Sequence, residues 1–239
     1  MSNWTHGPVD VVVTSPPYNL GIAYDCYDDL LEDAEYHAFI TEFLEKLHGI
    51  LADDGSVFLN VGSKPTKPLL PFEIAVASKT AGFTLQNTIH WIKSIYTKKA
   101  YGHYKPINSN RFINDCHEYI FHLTKTGNVS LDRLAVGVPY KDKSNIDRWA
   151  TGKDLRCRGN TWFIPYSTVR KKKLHPASFP IEIPFKCLKL HGIKPGLTVL
   201  DPFMGIGSTA VAAKKLGVSF IGIELSANYI EIAKGRLIE

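Results

Sequence analysis

The sequence predicts an α/β fold: one central, mostly parallel sheet with helices on both faces. Three observations carry this prediction. Apolar, β-branched runs alternate with amphipathic helices along most of the chain. Two of those runs end in loops rich in proline or glycine, at the strand ends where open α/β sheets bind ligands. The chain's 239 residues, 44% hydrophobic and 21% charged, suffice for one α/β domain with a sizeable core.

The first loop closes the stretch Val11-Val12-Val13-Thr14-Ser15-Pro16-Pro17-Tyr18-Asn19. Three valines read as a strand buried on both faces. Two prolines end it, since neither can donate to a ladder and each fixes its own φ. A rigid turn then carries a hydroxyl, uncommitted carbonyls and an aromatic ring past the strand's carboxyl end. Leu20 to Leu30, rich in Gly, Tyr and Asp, reads as an active-site loop.

Ala34 to Leu51 is the clearest helix, with Tyr36, Phe39, Ile40, Phe43, Leu44 and Leu47 on one face. Asp53-Asp54-Gly55 is expected to stop it, Gly55 serving as a left-handed cap. Ser56 to Val61 follows as a strand, Pro71 to Ala81 as a helix with Pro71 in its first turn, and Thr84 to Ile92 as a strand. Ile95 to Asn110 shows neither helical nor strand period. Cys116 to Leu123 is a strand, and Lys125 to Arg170 is irregular, basic and dotted with Gly and Pro.

Charge is unevenly placed. Residues 141–173 hold ten Lys or Arg against three Asp or Glu, a balance of +7 where the whole chain carries +5. A basic segment on a slightly acidic remainder suits a polyanion such as nucleic acid. Tyr140, Trp149, Trp162, Phe163 and Tyr166 interleave with these charges, a mixture that suits phosphate contact plus base stacking. Trp162-Phe163-Ile164 reads equally as a strand pinning the segment to the core.

Ser178 to Leu190 is a helix with Gly192 just beyond it. The second informative stretch is Thr198-Val199-Leu200-Asp201-Pro202-Phe203-Met204-Gly205-Ile206-Gly207-Ser208-Thr209. It reads as a strand, a glycine-rich loop and a helix start that Ser208 or Thr209 caps. Gly205 and Gly207 allow the backbone to approach a ligand, and the helix amides behind them offer donors. A strand from Val218 to Ile223 ends in Glu224, whose carboxylate suits two ribose hydroxyls. Ser226 caps a last helix. Together these describe a site for an adenosine-containing cofactor. Gly205, Gly207 and Ala210 also satisfy the loose dinucleotide pattern, but Asp201-Pro202-Phe203 intervenes where a dinucleotide fold would turn at once, and a second nucleotide-binding half is not found.

Asp-Pro-Phe-Met-Gly-Ile-Gly-Ser-Thr resembles the cofactor loop of S-adenosylmethionine-dependent amino-methyltransferases acting on DNA. Thr-Ser-Pro-Pro-Tyr resembles their catalytic (D/N/S)-PP-(Y/F) motif, and His175-Pro176-Ala177-Ser178-Phe179-Pro180 is similar to the segment that precedes the cofactor loop and helps hold the methionine end. The order, catalytic motif first and cofactor loop last, resembles the permuted beta-type group.

This resemblance implies a Rossmann-like class I methyltransferase fold with residues 1–94 as the catalytic half, 95–173 as a basic target-recognition elaboration and 174–239 as the cofactor half. The strands before Ser15 and before Asp201 are then neighbours at the centre of the sheet. It implies catalytic roles for Ser15, Pro16, Pro17 and Tyr18, with Tyr18 stacked on a flipped base. It implies S-adenosylmethionine contacts from Asp201, Pro202, Phe203, Gly205, Gly207, Ser208, Thr209, Glu224, His175, Ala177 and Phe179. Ser15 at the first motif position favours cytosine N4 over adenine N6.

Two departures bear on the substrate. Only nine residues precede Asp10, which implies a shortened start or a less enclosed adenine. The middle segment is short for a module reading a DNA sequence, so structured RNA, such as ribosomal RNA, stands as a rival. A catalytically silent nucleic-acid-binding protein is the reading from another class. The resemblance admits two protein partners, a second copy in a homodimer and a cognate restriction enzyme.

No run approaches the ~20 apolar residues a membrane helix needs. Met1 to His6 has no basic-then-apolar leader, and the four cysteines show no CxxC spacing. The expectation is a cytoplasmic, nucleoid-associated protein with free thiols and no membrane partner. None of the nine histidines suggests a metal pair.

Overall fold

The computed structural model describes residues 4–97, 100–103, 108–113, 115–148, 152–166 and 176–238. In chain order the elements are β1 (Val9–Thr14), α1 (Asp33–Ile50), β2 (Leu51–Val61), α2 (Leu70–Thr80), β3 (Thr84–Thr97), β4 (Ala100–His103) and β5 (His117–Thr124). They continue with α3 (Asn145–Arg148), β6 (Thr161–Pro165), α4 (Glu182–His191), β7 (Thr198–Asp201), α5 (Ser208–Leu216), β8 (Ser219–Gly222) and α6 (Ala227–Ile238). One sheet runs in the order β4-β3-β5-β2-β1-β7-β8, with β6 pairing along β3. β1 is parallel to both β2 and β7, and β7 is parallel to β8. β5, antiparallel to its neighbours, lies between β2 and β3.

The expected adjacency holds: Val11 pairs with Val199 and Val12 with Leu200. Two loops 186 positions apart (Ser15 and Asp201) therefore leave the sheet side by side. Each face carries its own core. Leu44, Leu47 and Ile74 of α1 and α2 pack on Val12 and Leu59. Ile183, Leu188 and Ala212 of α4 and α5 pack on Val11, Val13 and Phe58. A strand covered on both sides must be apolar at every position, which is why β1 reads as an unbroken valine run.

Several elements differ from the sequence expectations. Gly55 is no left-handed cap: α1 passes at Leu51 straight into extended backbone. Residues 52–55 then bulge, since Val9 faces Leu51 while Val11 faces Ser56. A Cβ on Gly55 would lie 2.7 Å from Leu51 Cγ and 2.9 Å from the Ala52 carbonyl oxygen, so the bulge needs the missing side chain. β3 runs on to Thr97 and pairs with β4, where the sequence shows no strand period. Edge pairing by backbone hydrogen bonds needs no buried face and leaves no hydrophobic alternation to read. Trp162-Phe163-Ile164 is a strand: Trp162 is 1% exposed and Phe163 57%.

α5 has no side-chain cap; Gly207 precedes it with φ 79°. The Ser208 hydroxyl instead donates to the Phe179 carbonyl at 2.9 Å, and that of Thr209 to Asp201 Oδ2 at 2.7 Å. Ser226 does cap α6, its Oγ accepting the Tyr229 N–H at 3.2 Å. Among the described residues no helix is long and apolar enough to cross a membrane.

Alternation along β5 conceals a buried polar cluster. His122 stacks on Phe58, and its Nε2 lies 2.9 Å from Ser56 Oγ, which is also 3.0 Å from His191 Nδ1. The Asn87 amide meets His122 Nδ1 at 3.0 Å, leaving the proton on Nε2. Burial pushes the His122 pKa from 6.5 down to about 4. The unfolded chain thus takes up a proton that the folded protein refuses between these values. Stability is full above pH 6.5 and falls as pH drops through that window, by about 3 kcal/mol from this group. His191, also lowered by burial, adds the same sign. His122→Gln is expected to flatten this slope in urea denaturation between pH 4.5 and 7; an unchanged slope would assign it to other groups.

Candidate active site

A cleft of ≈ 260 Å³ opens where the β1 and β7 loops leave the sheet. Ser15 and Pro17 form one wall, Pro202 to Ile206 with Ser208 form the floor, and Ala177 and Phe179 approach from the segment before α4. Glu224, Ser226 and Tyr229 close the far side, and Tyr24, Cys26 and Tyr27 of the 20–31 loop cover it.

Asp201 organises the junction. Fully buried at the end of β7, it accepts hydrogen bonds from Thr14 Oγ1 at 2.7 Å, Thr209 Oγ1 at 2.7 Å and the Phe203 N–H at 3.1 Å. One carboxylate therefore joins β1, the 202–207 loop and the start of α5. Burial raises its pKa from 3.8 to about 6, partly offset by the two threonine hydroxyls. Phe203 turns out of this junction edge-on to Phe43, with ring centroids 5.0 Å apart, and lines the cleft.

Glu224 follows β8 and holds the loop from the other side. Its Oε2 accepts the Gly205 N–H at 2.7 Å and its Oε1 the Ser226 N–H at 2.9 Å. Each carboxylate oxygen keeps a second lone pair. Gly207 does not reach the cleft. A Cβ there would meet that of Ala233 at 3.0 Å, so this glycine serves its left-handed φ and the packing of α6.

The 20–31 loop is tied at its base. Asp29, buried, accepts the N–H groups of Asn19, Leu20 and Ile22 at 2.8, 3.0 and 3.1 Å. Asn19, at φ 55°, exchanges two side-chain hydrogen bonds with Leu31. The loop's far end meets α6 where Ser226 Oγ donates to Asp25 at 2.5 Å.

In the proline turn, the Tyr36 hydroxyl donates to the Pro17 carbonyl at 2.9 Å. No donor among the described residues meets the Pro16 carbonyl. Ser15 Oγ lies 2.5 Å from Tyr18 Oη. Burial and the nearby Glu118 carboxylate push the Tyr18 phenol well above its ordinary pKa.

Of the residues singled out from sequence, Ser15, Pro17, Ala177, Phe179, Pro202, Phe203, Gly205, Ser208 and Glu224 share this cleft. Pro16, Tyr18, Asp201 and Thr209 do not line it, and His175 is outside the described residues. Sequence reasoning missed Asn60, Glu118, Lys93 and Asp29. For Asn60 a signal exists: a polar residue inside the apolar run Val57 to Val61 of a strand buried on both faces calls for a specific partner. Among the described residues no group of His, Cys, Asp and Glu could hold a metal ion.

Similarity to known proteins agrees with this architecture. Type II methyltransferase M.HpaI of Haemophilus parainfluenzae is 29% identical over 243 residues, covering 99% of this chain and 70% of that protein. The fold matches PvuII DNA methyltransferase (cytosine-N4-specific) with a TM-score of 0.75 at 19% identity, over 100% of this chain and 82% of that one. It matches a Thermus thermophilus protein described as a putative DNA modification methylase, complexed with S-adenosyl-L-methionine, with a TM-score of 0.62 at 25% identity, over 99% and 88%. The profile of a family described as DNA methylase, N6/N4 type, matches residues 9–235. The chain belongs to this N6/N4 DNA methylase family, whose methyl donor is S-adenosylmethionine.

Proposed function

We propose that the protein methylates the exocyclic amino nitrogen of a base flipped out of DNA, at cytosine N4. The observation that carries the reading is the convergence on one cleft of two loops that the β1–β7 pairing sets side by side. One brings the Ser15 hydroxyl to the cleft, with Pro16 buried next to it; the other offers an aromatic floor at Phe203 and a carboxylate at Glu224. The cleft fits the cofactor chemically: apolar surface from Phe203, Ile206 and Ile223 suits adenine and the methionine chain, and the spare lone pairs of Glu224 suit ribose hydroxyls. When bound, S-adenosylmethionine supplies a methyl on a sulfonium sulfur, whose C–S bond breaks as the N–C bond forms.

An exocyclic amino group is a poor nucleophile because its lone pair is conjugated with the ring. Acceptors at Ser15 Oγ and the Pro16 carbonyl favour the pyramidal nitrogen that carries positive charge during attack. The nitrogen then loses a proton to water. No enzyme nucleophile is required. Ser15, in place of an aspartate, supports cytosine over adenine by resemblance to cytosine-directed enzymes. Residues 1–94 supply the catalytic half, 174–239 the cofactor half, and the basic 141–173 segment the DNA contact, with Lys141, Arg148 and Lys153 exposed for phosphates. The Type II relatives extend the proposal to a cytoplasmic protein with a cognate restriction enzyme.

Labelled S-adenosylmethionine, incubated in parallel with unmodified duplex DNA, single-stranded DNA and ribosomal RNA and followed by nucleoside analysis, tests the reading. N4-methylcytosine in DNA is the expected product. N6-methyladenine corrects the base, label in RNA alone overturns the substrate, and cofactor binding without transfer leaves a silent binding protein. Glu224→Ala is expected to weaken S-adenosylmethionine about 10- to 100-fold in calorimetry, the value of a charge-assisted hydrogen bond or two. Unchanged affinity would remove Glu224 from the cofactor site.

A further inference from the structure

Behind Ser15 runs a chain of hydrogen bonds that no sequence motif connects. Tyr18 Oη lies 2.5 Å from Ser15 Oγ, 2.9 Å from the Asn60 carbonyl oxygen and 3.4 Å from Glu118 Oε2. Asn60 Nδ2 lies 2.6 Å from Glu118 Oε2, 2.8 Å from Tyr18 Oη and 3.5 Å from Ser15 Oγ. Glu118 Oε1 pairs with Lys93 Nζ at 2.9 Å, the two side chains being 14% and 25% exposed. Asn60, Lys93 and Glu118 come from three strands, β2, β3 and β5, and Ser15 and Tyr18 from the turn after β1; they meet only because the sheet brings these ends together. Gly62 leaves the room: a Cβ there would lie 2.9 Å from Tyr18 Cε2 and 3.1 Å from Glu118 Cδ.

The protons in this chain can be counted. The Asn60 amide nitrogen has two, and its nearest acceptors are Glu118 Oε2 and Tyr18 Oη. The opposite amide orientation would set Asn60 Oδ1 against a carboxylate oxygen. The observed one is kept although Oδ1 is buried without a partner among the described residues. Tyr18 has one proton, and the Asn60 carbonyl is its nearest acceptor that carries none. Towards Ser15, Tyr18 Oη is then left only to accept. The Ser15 hydroxyl therefore donates inward and turns its lone pairs away from Tyr18.

We infer that Glu118, fixed by Lys93, is a positioning residue that acts through Asn60 and Tyr18 to hold Ser15 as a hydrogen-bond acceptor for the target amino group. The inference rests on the methyl-transfer reading of the cleft. Its chemical sense is direct. A serine free to rotate can donate to the amino nitrogen and occupy the lone pair that must attack. A serine whose proton is committed elsewhere can only accept from N–H, the interaction that strengthens as charge develops there. The stacking role that resemblance implies for Tyr18 would use the ring face, whereas this role uses the hydroxyl.

Tyr18→Phe separates the two, keeping the ring and removing the oxygen. Single-turnover transfer from labelled S-adenosylmethionine to unmodified DNA is expected to fall about tenfold or more in Tyr18→Phe, the worth of one hydrogen bond to a developing charge. Glu118→Gln is expected to fall likewise, with cofactor Kd within twofold in both. The double variant should fall no further than the worse single, because the two act through one path. A wild-type rate in Tyr18→Phe overturns the inference, and so do losses that multiply. If the wild-type protein labels neither DNA nor RNA, the methyl-transfer reading fails and the network is decided separately. In protein carrying carbon-13 at tyrosine Cζ, the resonance that disappears in Tyr18→Phe belongs to Tyr18. It shifts in Glu118→Gln if Glu118 reaches Tyr18 through Asn60, and an unmoved resonance overturns the inference.

Discussion

Ser15→Ala is expected to slow methyl transfer to DNA by about 10²- to 10³-fold, the cost of removing one preorganised hydrogen-bonding group at a reacting centre. S-adenosylmethionine affinity should stay within twofold, since the cofactor contacts proposed above come from the loops after β7 and β8 and the segment before α4. Folding should change by only about 1 kcal/mol: the hydroxyl has one close partner, Tyr18 Oη, which keeps its bonds to Asn60 when Ser15 is truncated. The loss belongs in kcat, with KM for DNA unchanged, because the interaction strengthens only as the nitrogen becomes tetrahedral. Single-turnover assays at saturating cofactor measure it. A rate within threefold of wild type would take Ser15 out of the chemistry and leave the Pro16 carbonyl as the acceptor.

The second large effect is on the fold and on cofactor binding together. Asp201→Ala removes the acceptor for three donors, Thr14 Oγ1, Thr209 Oγ1 and the Phe203 N–H, in a site without access to water. Thr209 has the Val13 carbonyl at 3.3 Å as an alternative, whereas Thr14 and Phe203 are left unmet. Destabilisation of about 3 kcal/mol or more is expected in urea denaturation at pH 7, with loss of measurable S-adenosylmethionine binding as the 202–207 loop loses its anchor. Asp201→Asn retains an acceptor and should recover most of both.

The pH dependence gives an independent check on this carboxylate. Its folded pKa, about 6, lies above the unfolded 3.8, so the folded state holds the proton more tightly. Its contribution to stability is greatest below pH 3.8 and declines as pH rises to about 6, by about 3 kcal/mol. This slope opposes that of His122 over nearly the same window. Between pH 4 and 7 the stability difference between Asp201→Asn and wild type should move about 3 kcal/mol in favour of the variant. A constant difference would place the ionised carboxylate in a better-solvated site than its burial indicates.

Residues whose partners are close in sequence, or whose burial is complete, were legible without coordinates. The valines of β1 and the face of α1 follow from burial period alone. The two loops follow from residue types with few other uses: two prolines after a buried strand, and glycines between a strand and a helix. The alternating pattern also implies a mostly parallel sheet. Positions whose role depends on a distant neighbour were misread or missed. Gly55 suggests a cap because glycine after a helix commonly is one, yet it serves a bulge set by pairing with β1. Ser208 and Thr209 suggest caps, yet their hydroxyls serve Phe179 and Asp201. His122 carries no local mark of burial, yet it stacks on Phe58 of β2 and meets Ser56, which also contacts His191 of α4.

The functional residues divide along the same line. By itself the sequence determined that a proline turn and a cofactor-type loop each end a strand, since both are contiguous signals. Only the tertiary structure decided what each side chain in them does. Pairing of β1 with β7 sets Thr14 against Asp201, and the antiparallel insertion of β5 beside β2 sets Glu118 against Asn60 and Tyr18. A hydrogen bond between residues 58 positions apart, such as that from Asn60 to Glu118, leaves no period and no local propensity in a single chain. Its geometry exists only after the sheet has closed around it.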